Sequence, residues 1–359
     1  MTVTTDSTDS TGDPSLGAAP IPPAEPGGGS AGWSQRVLGR FGGEREGASF
    51  VERYAGVGLL IALVAVFSAL KPTLFPTKEN FIGIVGNEAV SGIVALGVLV
   101  PLAAGVFDVS IGGMMTLAVV QVTWLFQTTH GDMPIPLAIA ITLAGAVVVG
   151  LLNSLIVVKG KVEPLIATIG TGTILSGLSQ MIGNGETMTF DIPHAFTRIG
   201  RATLWQVPMT VIIFAVLALA LHYVLALTPA GRVLYATGAG REAARLSGVR
   251  TDRIIAMSYV ASALAAAIAG IVFAARLGSG PPGAGGAYLL PAYATAFLGA
   301  TMIRPGRFNV GGVVIAILIL AVGINGLQIA GIPFWVVDVF QGTALVVAVL
   351  LSRFQASRL

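Results

Sequence analysis

From Tyr54 onward the chain alternates long apolar runs with short polar joins. Ten runs approach the ~20 mostly apolar residues that a bilayer-crossing helix needs. They are 54–70, 82–106, 110–127, 136–158, 163–182, 207–227, 254–275, 288–303, 309–329 and 333–351. The runs at 136–158, 207–227, 254–275 and 333–351 stand out. Gly, Thr and Pro interrupt 163–182 and 288–303, and 82–106 nearly touches 110–127. The pattern predicts an all-α polytopic membrane protein with about ten transmembrane helices. Residues 1–50 differ in kind, being rich in Ser, Thr, Asp, Pro and Gly. Such a stretch buries too little apolar surface to offset chain entropy, so a disordered tail over 1–50 is expected ahead of a membrane domain over 51–359. The run at Tyr54 has no small-residue cleavage pattern after it, which makes it a retained span rather than a signal peptide.

Composition agrees with the pattern. Only 10% of the 359 residues are charged and 54% are hydrophobic, with a mean hydropathy of +0.85. Soluble chains average about 25% charged residues. The chain has no cysteine, which excludes disulfides, thiolate metal sites and cysteine nucleophiles. His130, His194 and His222 lie far apart and form no ligand pattern, so no metal site is expected.

The basic residues orient the spans. With the N-terminus inside, the inner segments carry Arg36, Arg40, Arg45, Arg53, Lys159, Lys161, Arg232, Arg241, Arg245, Arg250, Arg253, Arg304, Arg307, Arg353 and Arg358. The outer ones carry Lys71, Lys78, Arg198, Arg201 and Arg276. This bias of 15 to 5 follows the positive-inside rule. It predicts cytoplasmic N- and C-termini and a cytoplasmic loop over 228–253.

Within that loop lies a charged, Ala-rich helix signal: Gly240, Arg241, Glu242, Ala243, Ala244, Arg245, Leu246, Ser247 and Gly248. Gly248 is placed to end the helix in the left-handed conformation. Glu242 and Arg245 share a face. Ala243, Ala244 and Leu246 offer a small apolar surface, and Thr251 and Asp252 supply N-cap chemistry for the next span. Two readings stand: a solvated connector, or a docking helix gripped by a cytoplasmic partner.

Residues 235–248, Tyr-Ala-Thr-Gly-Ala-Gly-Arg-Glu-Ala-Ala-Arg-Leu-Ser-Gly, resemble the coupling-loop signature of ribose-type sugar ABC importer permeases. Residues 276–285 resemble that family's Arg-Leu-Gly-Ser-x-x-Pro-x-x-Gly stretch, and Asp108-Val109-Ser110-Ile111-Gly112 its Asp-Leu-Ser-Val-Gly element. The similarity runs in order over about 54–352, with Val106 in place of the family's usual Gly and Leu289-Leu290-Pro291 in place of Glu-Leu-Asp. The resemblance implies a translocation subunit of the plasma (inner) membrane. Its partners would be a cytoplasmic ABC ATPase docked at 240–248, an extracytoplasmic solute-binding protein and a second permease chain. The solute would be a monosaccharide or a related small polar molecule.

No cofactor is expected on this chain. Its one Gly-Lys, Gly160-Lys161, has Leu155 where a phosphate loop needs Gly and Val162 where it needs Ser or Thr. Mg-ATP would therefore be used by the partner ATPase. Metalloprotease motif, nucleophile elbow and aromatic-laced basic cluster are all missing, so neither an enzyme nor a nucleic-acid binder is indicated. Lipid is the surrounding partner.

Polar groups at membrane depth are functional candidates. Asp108 and Ser110 in the tight join, with Asn153, Thr168, Asn325 and Gln328 on apolar spans, are candidates for the substrate pathway. Each has a structural rival: Asp108 or Ser110 as cap of the third span, the others as interhelical hydrogen bonders. Glu88 reads as an outer headgroup-level residue. The longest outer connection, 183–206, reads as an interfacial hairpin carrying Trp205, or as the docking side for a binding protein. Two competing functions remain: a branched-chain amino acid or urea permease of the same superfamily, and an ion-coupled secondary transporter, which usually needs paired ionisable groups near the midplane.

Overall fold

A computed structural model describes Thr2 and residues 50–356, with side chains described from 53 to 351. The tail expected over 1–50 falls outside the described residues except at Thr2 and Phe50. Every apolar run becomes a helix: α1 Phe50–Leu70, α2 Lys78–Ala103, α3 Ile111–Thr128, α4 Ile135–Ser154 and α5 Pro164–Gly183. After a short helix α6, His194–Arg201, come α7 Met209–His222, the paired helices α8 Pro229–Ala239 and α9 Arg241–Leu246, and α10 Thr251–Leu277. The last three are α11 Gly286–Gly299, α12 Val310–Ile329 and α13 Trp335–Ala356. Among the described residues, eight helices are long and apolar enough to cross a membrane. The two expected spans outside that group are α11, with 14 residues, and α13, whose described apolar part is Trp335–Leu351.

The helix ends follow from local chemistry. Thr77 Oγ1 accepts from Asn80 N and Asn309 Oδ1 accepts from Gly312 N, capping α2 and α12. Proline occupies the first turn of α4, α5 and α8, where no N–H is needed. The second apolar run stretches to 106, but α2 stops at Ala103. Gly105 takes φ +82°, while Gly105 N and Val106 N donate to Leu102 O and Pro101 O. This is a Schellman closure, and it turns Ala104, Val106 and Phe107 into core residues outside any helix.

Helix α10 is the hub, packing on α2, α3 and α4. Helices α2 and α3 are the most enclosed, with 72% of their apolar windows buried, against 11% for α1 and 22–28% for α4, α5 and α7. The latter are therefore the most exposed of these spans. Small residues set the closest seams, as expected where packing rather than water exclusion joins helices. Gly113 of α3 lies against the Gly172 carbonyl of α5, and Gly270 of α10 against Met115 of α3.

The basic residues sort to two ends. At one, Ile303 N donates to Arg53 O, and Arg307 lies 3.5 Å over the ring of Tyr235. At the other, Arg276 holds Gly86 O and Asn87, Arg201 holds Arg276 O and Leu277 O, and Lys78 meets Gln206. The first group belongs to the expected inner set and the second to the outer. The outer connection contains a hairpin of β1, Thr203–Leu204, and β2, Val207–Pro208. Its turn residues Trp205 and Gln206 both have positive φ, as type I′ turns require, and Trp205 is 90% exposed at the tip.

Candidate functional site

Helices α8 and α9 form a hairpin at the end that carries Arg53 and Arg307. Its base is fixed by Tyr235, which is buried and donates from its hydroxyl to Phe308 O at 2.7 Å under the Arg307 guanidinium. The tip is the six-residue α9. Gly248 has φ +84°; Gly248 N donates to Arg245 O and Val249 N to Ala244 O, the Schellman closure expected of that glycine. Ala244 turns inward, so the outer face consists of Glu242, Ala243, Arg245 and Leu246. Leu246 is 89% exposed. One sequence expectation needs correction. Thr251 is the first helical residue of α10 rather than its cap, because the closure after α9 takes up Gly248 and Val249 and leaves Arg250 at the cap position. Arg241 pairs with Asp252 at 2.9 Å, since α9 folds back over the start of α10 and brings those two within reach.

The hairpin touches the α2–α3 join directly. Gly238 near the end of α8 packs on the backbone of Ala103 and Gly105. Three residues further along lies Asp108, 1% exposed. Its Oδ1 accepts from Ser110 N at 3.1 Å and from Ser110 Oγ at 2.5 Å. Ser110 Oγ accepts from Asn153 Nδ2 at 2.7 Å, and Val109 N donates to Thr168 Oγ1 at 3.0 Å. Four candidates on α4, α5 and the join are thus brought together into one knot. Ser110 sits at the N-cap of α3 but makes no side-chain cap bond; Asp108 ties the turn ahead of it instead. Tyrosines that the sequence did not single out complete the enclosure. Tyr259 of α10 donates to Phe107 O at 3.1 Å, and Tyr293 of α11 accepts from Asp108 N at 3.2 Å. An aromatic residue in an apolar run reads as core, so nothing in the pattern marked them. Ser262 of α10 faces the Asp108 carboxyl, yet Ser262 Oγ, Asp108 Oδ2 and Asn153 Oδ1 lack hydrogen bonds of ordinary geometry.

The remaining candidates lie apart. Asn325 and the exposed Gln328 sit near the far end of α12, around Gly326, which packs on Phe67 of α1. Glu88 lies about 15 Å along α2 from Lys78, next to Asn87, which Arg276 holds.

Residues 278–285 run non-helically back along α3. Gly280 meets Thr123, exchanges backbone hydrogen bonds with Met188, and is followed by Gly285 against Gly112 and Thr116. A Cβ at either glycine would collide with α3, so only glycine permits this approach. Gly285 N donates to Thr116 Oγ1 at 3.0 Å. Within this non-helical segment Gly280 and Gly285 are buried where they meet α3, the rest is half-buried, and Gly283 is exposed. Among the described residues, no three His, Asp or Glu side chains gather to hold a metal ion.

Comparison with known proteins gives a consistent result. The profile of the family described as "Branched-chain amino acid transport system / permease component" matches residues 80–349. The ribose import permease protein RbsC of Bacillus subtilis (strain 168) is 33% identical over 298 residues, covering 83% of this chain and 91% of the relative. Its counterpart in Escherichia coli (strain K12) is 30% identical over 82% and 91%. The autoinducer 2 import system permease protein LsrD of Escherichia coli O9:H4 (strain HS) is 31% identical over 81% and 89%. No solved structure matches the chain.

Proposed function

The chain belongs to the branched-chain amino acid transport system / permease component family and to its ribose-type branch, and on that premise we propose that it is the membrane-spanning subunit of an ATP-driven importer for a monosaccharide or a related small polar solute. It is a multi-pass protein of the plasma (inner) membrane. The observation that carries the functional reading is the α9 tip. A leucine 89% exposed beside Glu242 and Arg245, on a helix anchored at both ends, has the build of a docking element. The arginine-rich end is then cytoplasmic, and the partner docked there is the ATPase that binds and hydrolyses Mg-ATP. The permease itself supplies no catalytic group. A solute-binding protein meets the opposite end, where the Trp205 hairpin projects, and a second permease chain completes the pore.

The mechanism follows the contacts. Closure of the ATPase pushes α9; α8 moves with it because Tyr235 and Gly238 are held against Phe308 and Gly105. The α2–α3 join then shifts relative to α10, and the passage alternates between outward- and inward-facing states. The Asp108 knot serves as the stiff element of that join. Its full burial and dense hydrogen bonding support a structural part over direct contact with solute.

The test is a paired charge reversal, Glu242→Lys with Arg245→Glu. Both side chains are exposed, so the chain should keep its thermal stability while ATPase co-purification and ATP-dependent sugar uptake are lost. Unchanged assembly and uptake would remove the docking role. A branched-chain amino acid importer is the rival, favoured by the family's description; the ligand retained by the cognate solute-binding protein separates the two.

A further inference from the structure

A cavity of about 230 Å³ lies between α2, α11, α12 and α13, away from the Asp108 knot. Its polar wall is Glu88 and Ser91 of α2, Tyr288 of α11 and Gln341 of α13; Ile317 and Leu320 of α12 are apolar lining. Three independent observations point to a ligand. Glu88 is a half-buried carboxyl on an apolar helix, next to Tyr288 and within electrostatic reach of Arg276. Such a group is costly unless it has work to do. Residues 278–285 interrupt the chain between α10 and the 14-residue α11, whose Ala287 and Tyr288 line the cavity, and interrupted helices line solute sites in other transporters. The Tyr288 ring is held edge-on by Phe273 at 5.7 Å, so it is positioned rather than loose.

Resting on the importer reading above, we propose that this cavity is the binding station for a neutral polyol of monosaccharide size. The volume falls below the ~300–1,000 Å³ of drug-sized sites. A carboxylate accepts from two hydroxyls, an amide both donates and accepts, and Ser91 and Tyr288 add hydroxyls, which together complement a ring of O–H groups. The Tyr288 face and the two aliphatic side chains suit the C–H face of a sugar. Among the lining residues there is no cation to receive a solute carboxylate, so half of a free amino acid's charge pattern would go unmatched. The cavity therefore favours a neutral polyol over a free amino acid.

The absence of native cysteine makes the test direct. Ser91→Cys and Gln341→Cys each place a single thiol in the cavity of the full chain in lipid nanodiscs. Both should react with 2-aminoethyl methanethiosulfonate, and D-ribose or another pentose or hexose should slow the reaction saturably while L-leucine does not. Ser179→Cys, fully buried on α5, is the unreactive reference. Adding Glu88→Gln should raise the sugar concentration for half-protection about tenfold or more, the loss of a hydrogen bond to a charged group. Thiols that do not react in either variant, or that no sugar protects, overturn the site; protection by leucine overturns the ligand class. Uptake by cells carrying the unsubstituted chain with its partners reads the importer assignment separately. Sugar uptake alongside unprotected thiols defeats the cavity alone, and leucine uptake in place of sugar defeats the assignment.

Discussion

Replacing Gly238 with Ala tests whether α8 and the α2–α3 join move as one body. A Cβ placed there would stand 2.2 Å from the Ala103 carbonyl oxygen and 3.2 Å from Gly105 N. Real Cβ contacts essentially never fall below 3.0 Å, so α8 must withdraw by roughly 0.8 Å. Two effects oppose each other. Alanine favours the helix over glycine by ~1 kcal/mol, and overpacking a tight site costs ~1–3 kcal/mol. The opposing atoms are backbone and cannot rotate away, so the upper part of that range applies and a net loss of about 1–2 kcal/mol is expected. Gly240→Ala is the matched control. Its Cβ would meet only Ala243 at 3.7 Å, and its φ of −173° is extended backbone open to any residue. The assay pairs thermal unfolding of the purified chain with ATP-driven uptake in proteoliposomes holding the full importer. Gly238→Ala should melt earlier and transport less solute per ATP hydrolysed, whereas Gly240→Ala should melt as the parent does. Parental melting and coupling in Gly238→Ala would refute the linkage from hairpin to join.

Tyr235→Phe keeps the ring beneath Arg307 but removes the hydroxyl's hydrogen bond to Phe308 O, at a cost of roughly 0.5–1.5 kcal/mol in thermal or denaturant unfolding. An unchanged transition would mean that the hydroxyl does not anchor the hairpin. At Asp108, Asn retains an oxygen to accept from Ser110 while Ala retains none, so melting temperatures should fall in the order Asp, Asn, Ala. Equal losses for Asn and Ala would show that the knot depends on charge rather than on the acceptor.

Helix identity was legible wherever apolar length was unambiguous. Even the Gly- and Thr-rich run at 163–182 proved a full helix, because Gly172 serves the seam with α3 rather than breaking α5. The run at 288–303 was read as a span, yet its helix ends at Gly299 and begins at Gly286. Composition cannot distinguish a half-helix entered from inside the protein from a short span entered from water. The left-handed cap at Gly248 was readable since it depends on neighbours in sequence. The Asp108 knot was only half readable. Asp108, Ser110, Asn153 and Thr168 were flagged for polarity, but so were Asn325 and Gln328, and which of them meet depends on helix pairing. Tyr259 and Tyr293 escape notice, and the Tyr235 that opens the 235–248 signature gives no hint of its anchor, because their hydroxyls find carbonyl or amide partners more than seventy residues away in sequence.

The segment before α11 also constrains how the chain is assembled in the bilayer. At 14 residues, α11 extends about 21 Å at 1.5 Å per residue, short of a ~30 Å hydrocarbon core. Residues 278–285, which are not helical, would expose unpaired amides to lipid, at several kcal/mol for each group. Neither piece is a competent insertion unit by itself. Helix α11 packs on α2, α12 and α13, whereas the groove that receives residues 278–285 belongs to α3 and carries Gly112, Thr116 and Thr123. During synthesis that groove emerges more than 150 residues earlier. The order of the chain thus works as an assembly schedule, in which the receiving surface reaches the membrane before the segment that cannot enter it alone.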